Sequence, residues 1–395
     1  METAERLPSA VDVIIVGGGI VGTSAAYFLA TETDRKTLLI ERDGIASGST
    51  GDSSAIIRHH YGDRETYSRL ADWSHEFFRN FEERTGEPIA YTDNPLVRLG
   101  KNGEPSGEYA QAGYETLSEL GIPVSRYGRE ELERRYPMLS VEDVDFAVSD
   151  DTAAYSDASD VAGGFARAAQ REGATVVTDV EAEDLLTEDG GIVGIETDAG
   201  PIQTDDVIVA AGPWSGRIAG WVGVDIPMRL TREQILLLEP PEEFDAAKLE
   251  NLPTTGKPDA DWYLRPDFGE GVLIATHHVG ETVDPDTYKR DPDEETILKF
   301  IEELEEFAPG LADSKLRGGY CGVYSDTPDR GFVIDQAGPD GCYFACGFSG
   351  HGFKTAPAVG SILADLLTEG DSELADLEEF SLERFEEQTK PTAND

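Results

Sequence analysis

The sequence predicts an α+β protein: a discontinuous α/β domain joined to a second domain built on an antiparallel sheet. Two observations carry this. Near the N-terminus the apolar run Val13-Ile14-Ile15-Val16 leads directly into Gly17-Gly18-Gly19-Ile20-Val21-Gly22 and a helical pattern from Thr23 to Ala30. Far along the chain, Gly347-Phe348-Ser349-Gly350-His351-Gly352-Phe353-Lys354 runs straight into an apolar helical stretch, Ala356 to Leu367. The elements between them have the spacing of strands and turns.

The N-terminal unit is a strand, a Gly-x-Gly-x-x-Gly turn and a helix, which is the Rossmann-like arrangement. In it Gly17 permits the tight turn, Gly19 lets backbone approach a pyrophosphate, Gly22 lets helix pack on strand, and Ile20 and Val21 open the helix whose N–H groups face the phosphates. A second strand, Thr37 to Ile40, ends at Glu41 and Arg42. Glu41 lies roughly 20 residues beyond Gly22, where an acid that binds a ribose hydroxyl is expected. The segment is therefore expected to bind a dinucleotide. The C-terminal loop offers the same ligand a second contact: Gly350, His351, Gly352 and Phe353 bring backbone and the positive end of a helix to a flat ring that becomes anionic.

Composition narrows the setting. Asp and Glu outnumber Lys and Arg 79 to 32, a formal net charge of −47, and only nine of the basic residues are lysines. Such a charge repels itself, and folding fits a cytosol of high salt, where screening lengths fall to about 3 Å. Nucleic acid is excluded as a partner because its phosphates would meet a like-charged surface. An acidic disordered chain is excluded because 39% of residues are hydrophobic and apolar strands recur. Cys321, Cys342 and Cys346 cannot make a secreted disulfide framework. Met1 to Ala10 is polar, with no apolar signal region, and no run approaches a membrane span, so a cytoplasmic protein is expected.

Along the chain, a polar loop from Gly44 to Ser54 supplies Ser49 and Thr50 to the expected cofactor site. A helix follows from Glu65 to Arg84, its aromatics at helical spacing. Another helix is read at Val161 to Glu172, then a strand at Thr175-Val176-Val177 and an acidic strand pair turning at Asp189-Gly190-Gly191. The strand Asp206 to Ala211, closed by Gly212-Pro213-Trp214, returns to the nucleotide sheet and places Ala211 and Gly212 at the cofactor. Residues 221–324 are strand-rich and proline-punctuated, with one helix from Glu294 to Phe307. The expected division is 1–90, 145–220 and 325–385 for cofactor binding, 91–144 and 221–324 for substrate, and 386–395 as an acidic tail; the chain after Asp376 is expected to fray.

With both glycine loops in view, the chain resembles the D-amino-acid-oxidase superfamily of FAD enzymes, and within it the monomeric sarcosine oxidase and N-methyl amino acid oxidase family. The segments that carry the resemblance are Gly17 to Ala26, Ile56-Ile57-Arg58-His59-His60-Tyr61-Gly62, His277 to Asp286, Tyr324 to Asp335 and Gly347 to Lys354. The resemblance implies FAD as cofactor. It implies that Arg58 and Lys354 bind a substrate carboxylate over the flavin, that His277, Tyr263 and Tyr324 line the pocket, and that a hydride equivalent passes from the carbon beside a substrate nitrogen to flavin N5, leaving an imine that water hydrolyses. The residue chemistry agrees: Arg presents a planar fork matched to a carboxylate, and Lys adds a point charge.

Two departures from the family pattern stand out. Its covalent flavin attachment uses a cysteine two positions before the tyrosine matched by Tyr324, whereas Cys321 is three positions before. A one-residue slip in a strand points the thiol to the other face unless a bulge intervenes. Non-covalent FAD is expected, with attachment at Cys321 the alternative. Second, the family's oxygen-activating lysine falls at Leu273, which favours a dehydrogenase passing electrons to a carrier and leaves the acceptor open. The leading expectation is oxidation of a small carboxylated secondary amine such as sarcosine. The alternatives are a flavin dehydrogenase of a D-amino acid or 2-hydroxy acid, or a flavin subunit of a larger amine-oxidising complex.

Overall fold

The computed structural model describes residues 7–388. Val13–Val16 is fully buried, and its alternation divides two cores: Val13 and Ile15 face one, Ile14 and Val16 the other. It lies within a six-stranded sheet ordered Val333–Gln336, Cys342–Cys346, Asp206–Val209, Val13–Val16, Thr37–Ile40, Thr175–Val177. All pairings in it are parallel except that of the edge strand Val333–Gln336. One face is covered by the helices Ile20–Glu32, Ala158–Arg171 and Gly352–Glu369, whose Leu29, Phe165 and Val359 join the Val13–Ile15 core. The first and last of these helices touch directly. A Cβ on Gly360 would lie 2.3 Å from Ser24 Oγ, and that hydroxyl donates to Ala356 O at 2.9 Å. The contact brings the two glycine loops to the same end of the sheet.

The second sheet has eight strands, ordered Lys315–Asp326, Arg229–Glu239, Gly271–Thr276, Trp262–Asp267, Thr254–Thr255, Leu96–Gly100, Phe146–Asp150, Val124–Gly128. Every pairing is antiparallel except Thr254–Thr255 with Leu96–Gly100. Its outer face, with Val97, Leu236, Leu264 and Ile274, packs against Phe300, Leu304 and Phe307 of the helix Glu294–Phe307. The other face carries Ile235, Leu273, Ala275 and Tyr263 and looks toward the glycine loops. This is the α+β class read from the sequence.

Several elements differ from that reading. The helix expected from Glu65 to Arg84 is two helices, Glu65–Arg79 and Phe81–Thr85: Asn80 leaves helical geometry at ψ 19° and its side chain bonds Glu76 O. Phe146–Asp150, assigned from sequence to the cofactor-binding segments, pairs instead within the eight-stranded sheet. The chain after Asp376 does not fray through Phe385: Phe380 and Phe385 are buried, and Arg384 Nε pairs with Asp329 at 2.9 Å. The segment 383–388 is helical, so the expected tail from 386 begins inside a helix; residues 389–395 lie outside the described residues. Among the described residues no helix is long and apolar enough to cross a membrane.

Candidate active site

A single cleft runs between the two sheets and is bordered by both glycine loops. Gly17, Gly19, Ile20, Val21, Glu41, Arg42, Ser49, Thr50, Ala211, Gly212, Gly350, Gly352, Phe353, Tyr263 and Tyr324 all line it. The local reasons are geometric. Gly17 has φ 117°, and a Cβ there would sit 2.5 Å from Ala210 O, so only glycine lets the first turn pass beneath the neighbouring strand. Gly22 does not reach the cleft; it closes helix on loop, with its would-be Cβ 2.0 Å from Gly17 O. Glu41 accepts from Gly18 N at 2.6 Å and Thr50 Oγ1 accepts from Ile20 N at 3.0 Å. At the far loop Gly350 has φ 76°, and a Cβ would strike the Tyr324 ring at 2.6 Å.

Neither helix N-terminus at the cleft carries a side-chain cap or a first-turn acid. Two positive helix ends without first-turn acids, backbone cradles that a Cβ would fill, and Glu41 held at the loop fit FAD, whose phosphates would lie at Gly17–Val21, ribose at Glu41 and ring system at Gly350–Phe353. Arg42 lies at the rim, its guanidinium 4.3 Å from the Trp214 ring and paired with Asp286, which also accepts from Trp214 Nε1 at 2.7 Å.

Past the two tyrosines lies a buried polar cluster. Tyr263 donates to Ser54 Oγ at 2.7 Å, and its phenol pairs with that of Tyr324. The His277 ring is 5.9 Å from Tyr263, 6.1 Å from Tyr324 and 6.5 Å from His351. Arg58 Nη2 lies 3.3 Å from His351 Nε2, and its guanidinium stacks 4.4 Å over the Tyr61 ring. Arg58 and Lys354 are buried, at 5% and 6% exposure. The structure thus brings Arg58, His277, His351, Tyr263 and Tyr324 together, with Lys354 one turn beyond His351; of these only Tyr263 and Tyr324 line the cleft, and His351 and Lys354, expected at the cofactor, lie behind it.

The electrostatics of this cluster are one-sided. Burial, with Arg58 and Arg98 beside it, holds the Lys354 ammonium well below the ordinary lysine range. Burial, then Lys354 and Arg58, keeps His351 neutral, and burial with His278, Arg98, Arg58 and Lys354 does the same for His277. Buried acids in this region are already engaged: Asp150 with His59 at 2.9 Å, Asp326 with His278 at 3.2 Å, Glu233 with Thr276 at 2.7 Å and Gly280 at 3.1 Å. Among the described residues none forms an ion pair with Arg58, Arg98 or Lys354. His277 Nδ1 and His351 Nδ1 are buried without a hydrogen-bond partner. An unpaired cation cluster with free imidazole nitrogens is suited to an anionic ligand that also offers an N–H. The donor atoms of His277, His278 and His351 lie within 4.8 Å of one another. The charges that keep two of these imidazoles neutral would also repel a metal cation.

Sequence reasoning missed Glu233, Ser54 and Arg98. Glu233 and Ser54 border the cleft, and Arg98 reaches the cluster only through sheet pairing. For Glu233 and Arg98 a charged residue at an inward position of a strand was the available signal; Ser54, in a loop, offered none.

Compared with known proteins, residues 12–366 match the family described as FAD dependent oxidoreductase (DAO). Monomeric sarcosine oxidase of Bacillus sp. (strain B-0618) is 30% identical over 389 residues, spanning 94% of this chain and 96% of that protein. Mitochondrial sarcosine dehydrogenase of Homo sapiens is 26% identical, spanning 96% of this chain and 42% of that one. The L-proline dehydrogenase structure from P. horikoshii superposes with a TM-score of 0.87 at 27% identity, covering 97% of this chain and 99% of that one. The chain therefore belongs to the FAD-dependent oxidoreductases of this family, and FAD is its cofactor.

Proposed function

We propose that the protein oxidises the C–N bond of a small carboxylated amine, a secondary or N-methyl amino acid of the sarcosine kind, and that it acts as a dehydrogenase. The carrying observation is the pair Arg58 and Lys354, buried together beyond the flavin cleft with no acidic partner. The similar proteins named above are described as acting on sarcosine or proline, both carboxylated secondary amines.

FAD supplies the acceptor for the hydride equivalent. In this reading Arg58 and Lys354 grip the carboxylate and so fix which carbon of the substrate faces the ring. The same positive charges disfavour the ammonium form of the substrate, which leaves the nitrogen lone pair free to form the C=N bond as hydride departs. Neutral His277 and His351 can accept from the amine N–H, and the Tyr263–Tyr324 pair closes the cleft side. The imine is hydrolysed by water; sarcosine would give glycine and formaldehyde. Leu273 is the observation that favours a dehydrogenase: it is 1% exposed among Ile235, Ala275 and Tyr263, where an ammonium would otherwise help oxygen reduction.

The test is anaerobic mixing of the holoprotein with a panel of sarcosine, proline, glycine, a D-amino acid and a 2-hydroxy acid, following loss of flavin colour. Bleaching by the secondary amines ahead of the others is expected. Bleaching by the 2-hydroxy acid or the D-amino acid alone would replace this reading with the corresponding dehydrogenase.

A further inference from the structure

Besides Arg58 the cluster has a second guanidinium close by, that of Arg98. Arg98 belongs to the strand Leu96–Gly100, whose Val97 and Leu99 point into the outer core. Alternation therefore turns Arg98 to the inner face. Pairing through Thr254–Thr255 carries that face across to Tyr263 and Ala275: Val97, Thr255, Leu264 and Ile274 share the outer row, so their neighbours share the inner one. Arg98 Nε is buried without a hydrogen-bond partner, and its guanidinium is 5.8 Å from the centre of the Tyr109 ring, at the edge of cation–π range. Tyr109 is 40% exposed and packs on His60 at 4.9 Å. His60 itself is turned toward the helix Pro105–Leu120, where a Cβ on Gly113 would lie 2.1 Å from its Nε2.

Arg98 is partly exposed, and among the described residues no acid pairs with it. Asp150, on the adjacent strand, is taken by the His59 ring at 2.9 Å and the His59 amide at 2.6 Å. A carboxylated amine in its neutral form brings one negative charge to Arg58 and Lys354, which leaves Arg98 uncompensated. Its buried Nε has no acceptor, and a second anionic group on the ligand would supply one.

We propose that Arg98 forms a second anion position beside Arg58 and Lys354, and that the preferred substrates are amines carrying two carboxylates. This rests on the proposed function of the site and narrows its substrate class. Each carboxylate would meet a guanidinium fork, with the nitrogen between them facing His277 and His351. Burial, and then Arg58, lowers the Arg98 pKa against the opposing pull of Tyr109 and Asp150.

The test uses analogues in which sulfur replaces nitrogen, so that nothing is oxidised: (methylthio)acetate with one carboxylate, thiodiacetate and (methylthio)succinate with two. Each is titrated into the holoprotein in one buffer and binding is read from the shift of the flavin absorption spectrum. At least one diacid should bind tenfold or more tighter than the monoacid. In Arg98→Gln that ratio should fall toward one, and Arg98→Lys should restore part of it, with flavin content and melting temperature showing that the variants are folded. Equal affinity for mono- and diacids in the unaltered protein overturns the inference without need of any variant, as does a preference that survives in Arg98→Gln. If the monoacid binds and simple carboxylated amines bleach the flavin while diacids gain nothing, only the role of Arg98 fails. If no carboxylate perturbs the spectrum, the reading of the site fails with it.

Discussion

Cys321 and Tyr324 leave the strand Lys315–Asp326 on opposite faces. Tyr324 pairs with Thr231 and Cys321 with Gln234, and the only register shift between these two strands falls earlier, between Leu237 and Leu238. No bulge therefore reorients the thiol. It lies on the outer face against Arg232, while Gly322 takes the place two before Tyr324. Flavin attachment should be non-covalent. Acid precipitation should release the yellow chromophore into the supernatant, equally for Cys321→Ser. Colour that stays with the pellet and is freed by that substitution would contradict the register.

Reduced enzyme should react slowly with oxygen and quickly with an artificial dye. Superoxide formed in the first electron transfer gains nothing from the buried Leu273. Leu273→Lys should speed reoxidation by air about tenfold or more, the equivalent of roughly 1.4 kcal/mol. Hydrogen peroxide formed by the unaltered protein as fast as dye is reduced would return the protein to the oxidases.

Stability should depend on His60. Burial, then Arg98 and Arg58, brings its pKa down to about 3. A histidine in the unfolded chain titrates near ~6.5, so between these values the unfolded state binds the additional proton. Stability is complete above the unfolded value and is lost as pH falls through it, by about 1.4 kcal/mol per pH unit for one such group. His60→Gln should lower the slope of unfolding free energy against pH by about one proton between roughly pH 6 and 4.5. An unchanged slope would show that His60 is already charged or solvated in the fold.

Molar salt should stabilise the protein, because screening relieves the repulsion summed over its −47 charge. Melting temperature should rise with added KCl. A flat or falling curve would show that the acidic surface has no such dependence.

The glycine loops, the strand Thr37–Ile40 and the helix Glu294–Phe307 were legible because each is a local signal: a turn, an apolar run, a periodic face. Arg58 and Lys354 were legible only through the resemblance and their residue chemistry. What escaped depends on pairing across the chain. Arg98 reads as an ordinary charge in Leu-Val-Arg-Leu-Gly until Thr254–Thr255 is placed between its strand and that of Tyr263. The break at Asn80, whose side-chain amide bonds Glu76 O beside its own backbone N–H, is one that helical periodicity does not register. The acidic composition after Asp376 hid Phe380 and Phe385, which dock on the six-stranded-sheet body.

The central claim is that Arg58 and Lys354 hold a substrate carboxylate beside FAD. The direct measurement is anaerobic flavin reduction by a carboxylated secondary amine and by the same amine without its carboxylate, in the unaltered protein and in Arg58→Ala and Lys354→Ala. Each substitution should weaken the carboxylated amine by about 1.5–3 kcal/mol, tenfold to over a hundredfold, while FAD stays bound. The amine lacking a carboxylate should be poor throughout and insensitive to both substitutions. Equal reduction by the two amines in the unaltered protein would contradict the assignment.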